Sequence, residues 1–455
     1  VRIQTFGLLG FNPSDCEVRC YGAGVDGSNA QYPRGLTAVL TQRMAEYPTV
    51  IIQGPRTVGK TTLLHSLASK AGVPIFDLDS PATRDLVTAD PEFFAAGARP
   101  VLVDEYQKAP IILDAIKAEL NRSSQPGQFA LTGSASFYAL PQVAQALTGR
   151  LHILTLYPLA QAELERTGTN IITTLFEAPE DLRAAPTSPT SREDYARRLV
   201  RGGFPLALSV SSAAARNRWF DDYVSLTLER DAIELRQIAR TDRLTRLLHR
   251  LAAQTAQVLN IANAAEAVGL DKNTAGEYLK VLEALFLLYR LPAWGKTLTS
   301  RSTKSPKLHV LDSGVAARLL LLSEAKLAAR DPSAVTEFGH LLETFVVGEL
   351  FRHSAWLDEP LTLGHWRTHD NAEVDVVIER DDGRVAGIEV KATGRITDAS
   401  FRSLREFRNA LPGRFATGVI LYLGQHAIRT ADGLYAAPVD SLWRLGGQRH
   451  TSTST

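Results

Sequence analysis

The sequence predicts an α/β protein, and three observations carry that prediction. Short apolar runs alternate with helical patterns from residue 36 to about 160. These runs are apolar throughout instead of alternating with polar residues, as strands covered on both faces are. A mixed pattern of helix and strand returns from residue 337 to the end. With 455 residues the chain exceeds one ordinary core, so about three domains are expected.

Composition narrows the class. Hydrophobic residues make up 45% and charged residues 22%, values of a folded globular chain. The formal net charge of +1 neither requires nor excludes nucleic acid, because a balanced total can hide local basic patches. Cys16 and Cys20 are the two cysteines and have no nearby partners to complete a zinc site. No apolar stretch reaches the roughly eighteen residues that span a bilayer. Residues 1–30 lack a basic start followed by an apolar segment. A cytoplasmic protein with no membrane partner is the expectation.

Taken in order, residues 1–35 read as a Gly-rich extension. The strands are TVIIQ (49–53), PIFDLD (74–79), PVLVDE (100–105), QFALTGS (128–134) and LHILTLY (151–157), with helices between them. Residues 167–195, rich in Pro, Ser and Thr, read as an exposed connection. Apolar residues at three- and four-residue spacing predict helix over 216–256. A short helix from Asn260 to Val268, the turn GLDKNT capped by Asn273 or Thr274, and a longer helix from Ala275 to Leu288 follow. Beyond 337 come the helix GHLLETFVVGELFRHSA, strands EVDVVIE and AGIEVKA, a helix from 399 and the strand TGVILYL. The last residues, 449–455, read as a polar tail.

Gly54, Pro55, Arg56, Thr57, Val58, Gly59, Lys60, Thr61 and Thr62 spell G-P-R-T-V-G-K-T-T, the phosphate-loop pattern of Gly, four residues, then Gly-Lys-Thr. A strand leads in and a helix leads away, so backbone N–H groups and the helix N-terminus face an anion. Lys60 would reach the β- and γ-phosphates of ATP, and the Thr61 hydroxyl would ligate Mg²⁺. At the end of the VLVDE strand, Asp104 would organise the Mg²⁺ shell and Glu105 would polarise the attacking water. At the end of the QFALTGS strand, Thr132 or Ser134 either meets the γ-phosphate or the attacking water, or caps the following helix. Arg150 is the first candidate for a positive charge on the transition state, with Arg201 and Arg230 as rivals, in the same subunit or a neighbouring one.

The stretches GPRTVGKTT, VDEYQKAP, LTGSASF, LTGR with LYPLA, GGFP and YVSLTLERD together resemble the AAA-type ATPases of bacteria and archaea that carry a C-terminal domain of unknown function. The resemblance covers roughly residues 36–430. It implies a core in which the VLVDE strand is separated from the phosphate-loop strand by the ALTGS strand.

Residues 255–315 resemble a winged helix. Lys272, Asn273, Glu277 and Lys280 would face DNA from its second helix, a weak electrostatic footprint. Lys296, Arg301, Lys304 and Lys307 in WGKTLTSRSTKSPK would hold phosphates from a wing-like loop, or stand in a solvated one. In the last domain Asp375, then Glu389-Val390-Lys391, matches the Asp…Glu-x-Lys pattern of the restriction-endonuclease-like fold. Alternation puts Glu389 and Lys391 on one face. Asp375 and Glu389, joined by Glu343 or Glu349, would hold a second divalent cation with Lys391 beside it, or form an ordinary ion-pair cluster. His353, His365 and His369 have no ligand spacing.

The sequence thus divides into an extension (1–35), a P-loop ATPase domain with a parallel sheet (36–160), a linker and helical segment (161–235), a winged-helix middle domain (236–332), an α/β restriction-endonuclease-like domain (333–448) and a tail (449–455). The expected partners are ATP with Mg²⁺, DNA and further copies of the chain. The expected activity is an ATP-driven oligomeric motor on DNA, with a protein-binding switch and an ATP-gated nuclease as alternatives.

Overall fold

Val50, Ile51 and Ile52 have no polar face to offer solvent, and the strand they build, β1 (Thr49–Gln53), is buried at all five positions. Val50 and Ile52 enter one apolar cluster while Ile51 enters another on the opposite face of the sheet. Strands β2 (Ile75–Asp77), β3 (Val101–Asp104), β4 (Phe129–Gly133) and β5 (Leu151–Thr155) complete a five-stranded sheet of order β2-β3-β4-β1-β5. Every pairing is parallel. The strand ending in Asp104 is therefore separated from the phosphate-loop strand by β4, as the resemblance implies. Helices α1 (Leu36–Glu46), α2 (Lys60–Ala71) and α3 (Ile112–Arg122) accompany it.

The computed structural model describes residues 32–136, 147, 149–184, 186–232, 241–295, 297, 305–329, 332–370 and 372–445. The expected tail and nearly all of the expected extension lie outside these residues. Arg34 and Gly35, read as the end of the extension, belong to the main compact unit, which starts at Arg34.

Residues 167–195 are not an exposed connection. Ile171, Ile172 and Leu175 on α4 (Ile171–Glu177) are buried, as is Leu182. The hydroxyls of Ser188 and Thr190 both donate to the buried Asp440, at 2.6 and 2.7 Å. The small polar residues that suggest a loop are used to satisfy an internal carboxylate. Helices α5 (Arg192–Arg201) and α6 (Ala213–Leu226) follow, and α6 runs into a π-helical turn, Thr227–Asp231.

The middle of the chain holds α7 (Thr241–Ala252), β6 (Gln257–Val258), α8 (Ile261–Ala267), α9 (Lys272–Ala284), β7 (Leu288–Leu291) and β8 (Lys307–Val310). The strands form an antiparallel sheet of order β6-β8-β7. Asn260, expected as the first residue of this helix, is its N-cap, its side chain accepting from the Asn263 N–H. The cap of α9 is Asp271, not Asn273 or Thr274, because its carboxylate accepts from both of their backbone N–H groups. The helix accordingly starts three residues earlier than expected and ends at Ala284.

The C-terminal part is a long helix, α10 (Pro332–Ser354), against a mixed six-stranded sheet of order β13-β14-β12-β11-β10-β9. Its strands are β9 (Leu361–Arg367), β10 (Glu373–Arg380), β11 (Val385–Lys391), β12 (Phe415–Tyr422), β13 (Ile428–Arg429) and β14 (Tyr435–Pro438), with α11 (Arg402–Asn409) between β11 and β12. One apolar cluster runs through all of these parts, joining Leu36, Val50, Leu247, Leu282, Phe345 and Trp443. Among the described residues no helix is long and apolar enough to cross a membrane.

Candidate nucleotide-binding site

The phosphate loop is Gly54 to Gly59, between β1 and α2. Gly54 has φ 150°, and a Cβ there would meet the Leu156 carbonyl oxygen at 2.2 Å, so only glycine lets the loop pass the end of β5. Gly59, φ 99°, turns the chain into α2. No side chain caps that helix, so the N–H groups of its first turn face outward without a side-chain acceptor. Val58 is in the core, and Pro55 is buried beside it, while Thr57 forms the exposed tip and Thr62 is also exposed.

Lys60 is buried, and its ammonium donates to the carbonyls of Gly54 at 2.9 Å and Pro55 at 2.8 Å. Burial pulls its pKa down to about 8, against the opposing pull of Glu105 and Asp104 nearby. A desolvated cation held against the loop carbonyls is suited to phosphate oxygens.

Thr61 and Asp104 meet as the motif predicts. The Thr61 hydroxyl donates to Asp104 at 2.7 Å, and the Thr132 hydroxyl donates to the other carboxylate oxygen. Two hard oxygen donors at the mouth of an anion site fit Mg²⁺ chemistry. Glu105 is buried beside them, its backbone N–H donating to Thr132 Oγ1 at 3.3 Å. The Gln107 side-chain amide donates both to Glu105 and, at 3.0 Å, to Ser134 Oγ. Ser134 is thus brought to the acid pair.

Arg150 is not. It precedes β5, whose Leu151 pairs with Thr49 at the start of β1, so it lies at the end of the sheet opposite the loop. There it donates to Asn121 at 2.5 Å. Arg230 lies exposed on the π-helical turn. Arg201 ends α5 beside Arg216, with its Nε buried and without a hydrogen-bond partner.

Three residues of the site were not singled out from the sequence. Gln107 is one. Arg34 donates to Val58 O at 2.5 Å, Tyr157 O at 2.6 Å and Glu163 at 3.0 Å, fastening the loop from outside. Asp231 receives a bidentate pair from Arg56 of the loop, at 2.6 and 2.8 Å, across 175 residues of chain. Gln107 and Asp231 left a trace in the sequence, within VDEYQKAP and as the last residue of YVSLTLERD, without a role assigned to either.

The second acid cluster differs from an open metal site. Asp375 and Glu373 of β10 and Glu343 of α10 surround the ammonium of Lys307, at 2.9, 2.5 and 2.7 Å. Lys307, expected in a phosphate-holding loop, is 3% exposed. Lys296, Arg301 and Lys304 lie outside the described residues. Glu389 and Lys391 do share a face and pair at 2.5 Å. Glu349 stands apart, accepting from the Gln161 N–H at 2.8 Å and from Arg352. His353 and His365 are buried and held far below the usual imidazole range, at about 3 and about 4, by desolvation first and by the nearby charges of Arg352 and Lys307 respectively. His369 is exposed. Among the described residues no group of three His, Cys, Asp or Glu side chains has metal-holding geometry.

Strand order, loop and acid pair define a P-loop ATPase domain. Residues 46–165 match the family model described as AAA domain. Residues 192–326 and 338–442 match two models, each described as a domain of unknown function (DUF8612 and DUF4143). Uncharacterized proteins of Mycobacterium tuberculosis and Mycobacterium bovis are each 28% identical over 416 residues, 91% of this chain and 85% of the relative. Among solved structures, a Walker-type ATPase of Pyrococcus abyssi is 15% identical with a TM-score of 0.38, over 63% of this chain and 94% of its own. A Holliday junction branch migration motor of Thermotoga maritima is 19% identical with a TM-score of 0.27, over 56% and 89%.

Proposed function

We propose that the protein hydrolyses ATP and passes its nucleotide state to the helical and middle parts of the chain. The observation that carries this reading is the Arg56–Asp231 bidentate pair, which ties the phosphate loop itself to the π-helical turn. A second link starts at Ser134. Two residues on, the Ser136 N–H donates to the Ala284 carbonyl at the end of α9, at 2.9 Å. In the reaction Lys60 turns from its two loop carbonyls to the phosphates. Thr61 and Asp104 would hold Mg²⁺, which would supply neutralisation of the phosphate charge. Glu105 orients and deprotonates water, with Gln107 and Ser134 fixing its direction. Since Arg150 lies at the far end of the sheet, it would serve the nucleotide of a neighbouring copy, which makes a homo-oligomer part of this reading.

The test is Glu105→Gln. It should retain ATP while turnover falls by about a hundredfold or more. In that variant ATP should alter hydrogen exchange in residues 213–231, and Arg56→Ala should abolish the change. Unaltered exchange with ATP bound would remove the coupling.

DNA is the second reading for the target. It is favoured by the order of α7, β6, α8, α9, β7 and β8, which is that of a winged helix, with Lys272 and Asn273 exposed on α9. Against it, Lys280 is spent on Glu277 at 2.6 Å. DNA-stimulated turnover with a salt-dependent affinity would support DNA as the target; stimulation by a protein alone would support a switch.

A further inference from the structure

The Asp…Glu-x-Lys pattern implies a divalent cation in the C-terminal domain, and the residues do not fit one. The obstacle is an observed cation. Lys307 begins β8, where it pairs with Leu291 of β7 and Val258 of β6, so its backbone is fixed inside the three-stranded sheet. Its side chain leaves that sheet and enters the C-terminal one. The three N–H bonds of one ammonium are matched to three carboxylates, Glu343, Glu373 and Asp375. The second oxygen of Asp375 accepts from the Val390 N–H at 2.8 Å. Both oxygens of the residue the pattern would give to a metal are thereby engaged. Glu389 gives one oxygen to Lys391 and keeps the other buried without a hydrogen-bond partner.

We infer that Lys307 is the resident cation of this cluster, standing where a divalent metal would bind, and that it turns a nuclease-like acid set into a metal-free clasp between the three-stranded sheet and the C-terminal sheet.

Charge and burial agree with this assignment. Desolvation alone would lower the pKa of Lys307, yet Asp375, Glu343 and Glu373 outweigh it and the net direction is upward, so the ammonium stays charged. One ammonium does not neutralise three carboxylates, and Glu343 is driven well above its ordinary range by burial and then by Asp375. Backbone contacts hold the two sheets together at the same place. The Trp294 N–H donates to His365 O at 2.6 Å, and the His365 N–H donates to Pro292 O at 2.9 Å. The lysine is therefore buried at a joint that backbone hydrogen bonds also hold. Removing it would leave three inward carboxylates, the donor set a hard divalent ion takes.

The experiment uses the full chain without nucleotide and Mn²⁺ as the probe, followed by electron paramagnetic resonance and thermal midpoint. Wild type and Asp375→Asn should bind Mn²⁺ alike, because Asp375 is not free to ligate. Lys307→Met should gain one site at least about tenfold tighter than any Asp375-dependent binding in wild type. Mn²⁺ should raise its thermal midpoint, and adding Asp375→Asn should remove both effects. Lys307→Arg should keep the charge and gain no site. The inference is overturned if wild type shows a Mn²⁺ site that Asp375→Asn abolishes, or if folded Lys307→Met gains none. Should Lys307→Met not fold, the comparison of wild type with Asp375→Asn still decides.

Discussion

Glu105 closes β3 with φ 54°, the left-handed region that a residue with a Cβ enters at a cost of roughly 1–2 kcal/mol. The turn aims its carboxylate back toward the loop, where the Gln107 amide holds one oxygen. In the proposed reaction Gln107 would thus be a positioning residue. Gln107→Ala should lower kcat about tenfold while leaving ATP affinity within about twofold, since its side chain bonds to Glu105 and Ser134. Comparable losses in kcat and affinity would assign Gln107 to binding. Lys60 and Thr61 were legible in the sequence because the loop pattern fixes its own chemistry within a few residues, and Asp104 and Glu105 because they end a continuous apolar strand downstream of it. Gln107 was not, because a glutamine three residues past an aspartate is common and its partner Ser134 lies 27 residues on.

At the scale of elements, the π-helical turn Thr227–Asp231 presents Asp231 to the phosphate loop. The Asp231 side chain is 9% exposed, so Arg56→Ala strands a carboxylate and should destabilise by about 3 kcal/mol. Arg56→Ala combined with Asp231→Asn should recover part of that loss, and additive losses in a double-mutant cycle would deny the pair. Strands buried on both faces, such as β1 and β4, announce themselves by continuous apolar runs. β9 does not, since Gly364 and His365 interrupt LTLGHWR, and its middle is buried only because β10 and residues 292–294 close over it. Lys307 was misleading for a related reason. In KSPK it reads as a loop cation, and its acid partners Glu343 and Asp375 stand 36 and 68 residues away.

For the whole molecule, the core from Leu36 through Leu247 to Trp443 is shared by all the parts, although the far face of the five-stranded sheet and the C-terminal sheet each keep an apolar cluster of their own. Calorimetry should therefore give one unfolding transition for the described residues; resolved transitions would contradict a shared core. A buried polar seam runs through the same region, with Arg352 donating to Pro158 O at 2.8 Å and pairing with Asp312 and Glu349. Burial raises Glu349 to about 7 from an ordinary 4.5, with Arg352 opposing. A carboxyl raised on folding contributes stability that is fully present below about 4.5 and is lost as pH climbs through about 7. Glu349→Gln keeps an acceptor for the Gln161 N–H and removes the titration. Between about pH 5 and 8 it should gain on wild type by on the order of 1–3 kcal/mol, visible as a rising difference in thermal midpoint. A difference that stays flat would remove Glu349 from the pH response.

Arg34 belongs to neither helix nor strand, and periodicity would start the domain two residues later, at Leu36. Yet its guanidinium joins Val58, Tyr157 and Glu163. A fragment trimmed at the visible onset of regular structure would forfeit that bracket and expose the Glu163 carboxylate, so a failure of such a fragment to hold nucleotide would report where it was cut and nothing about the motif.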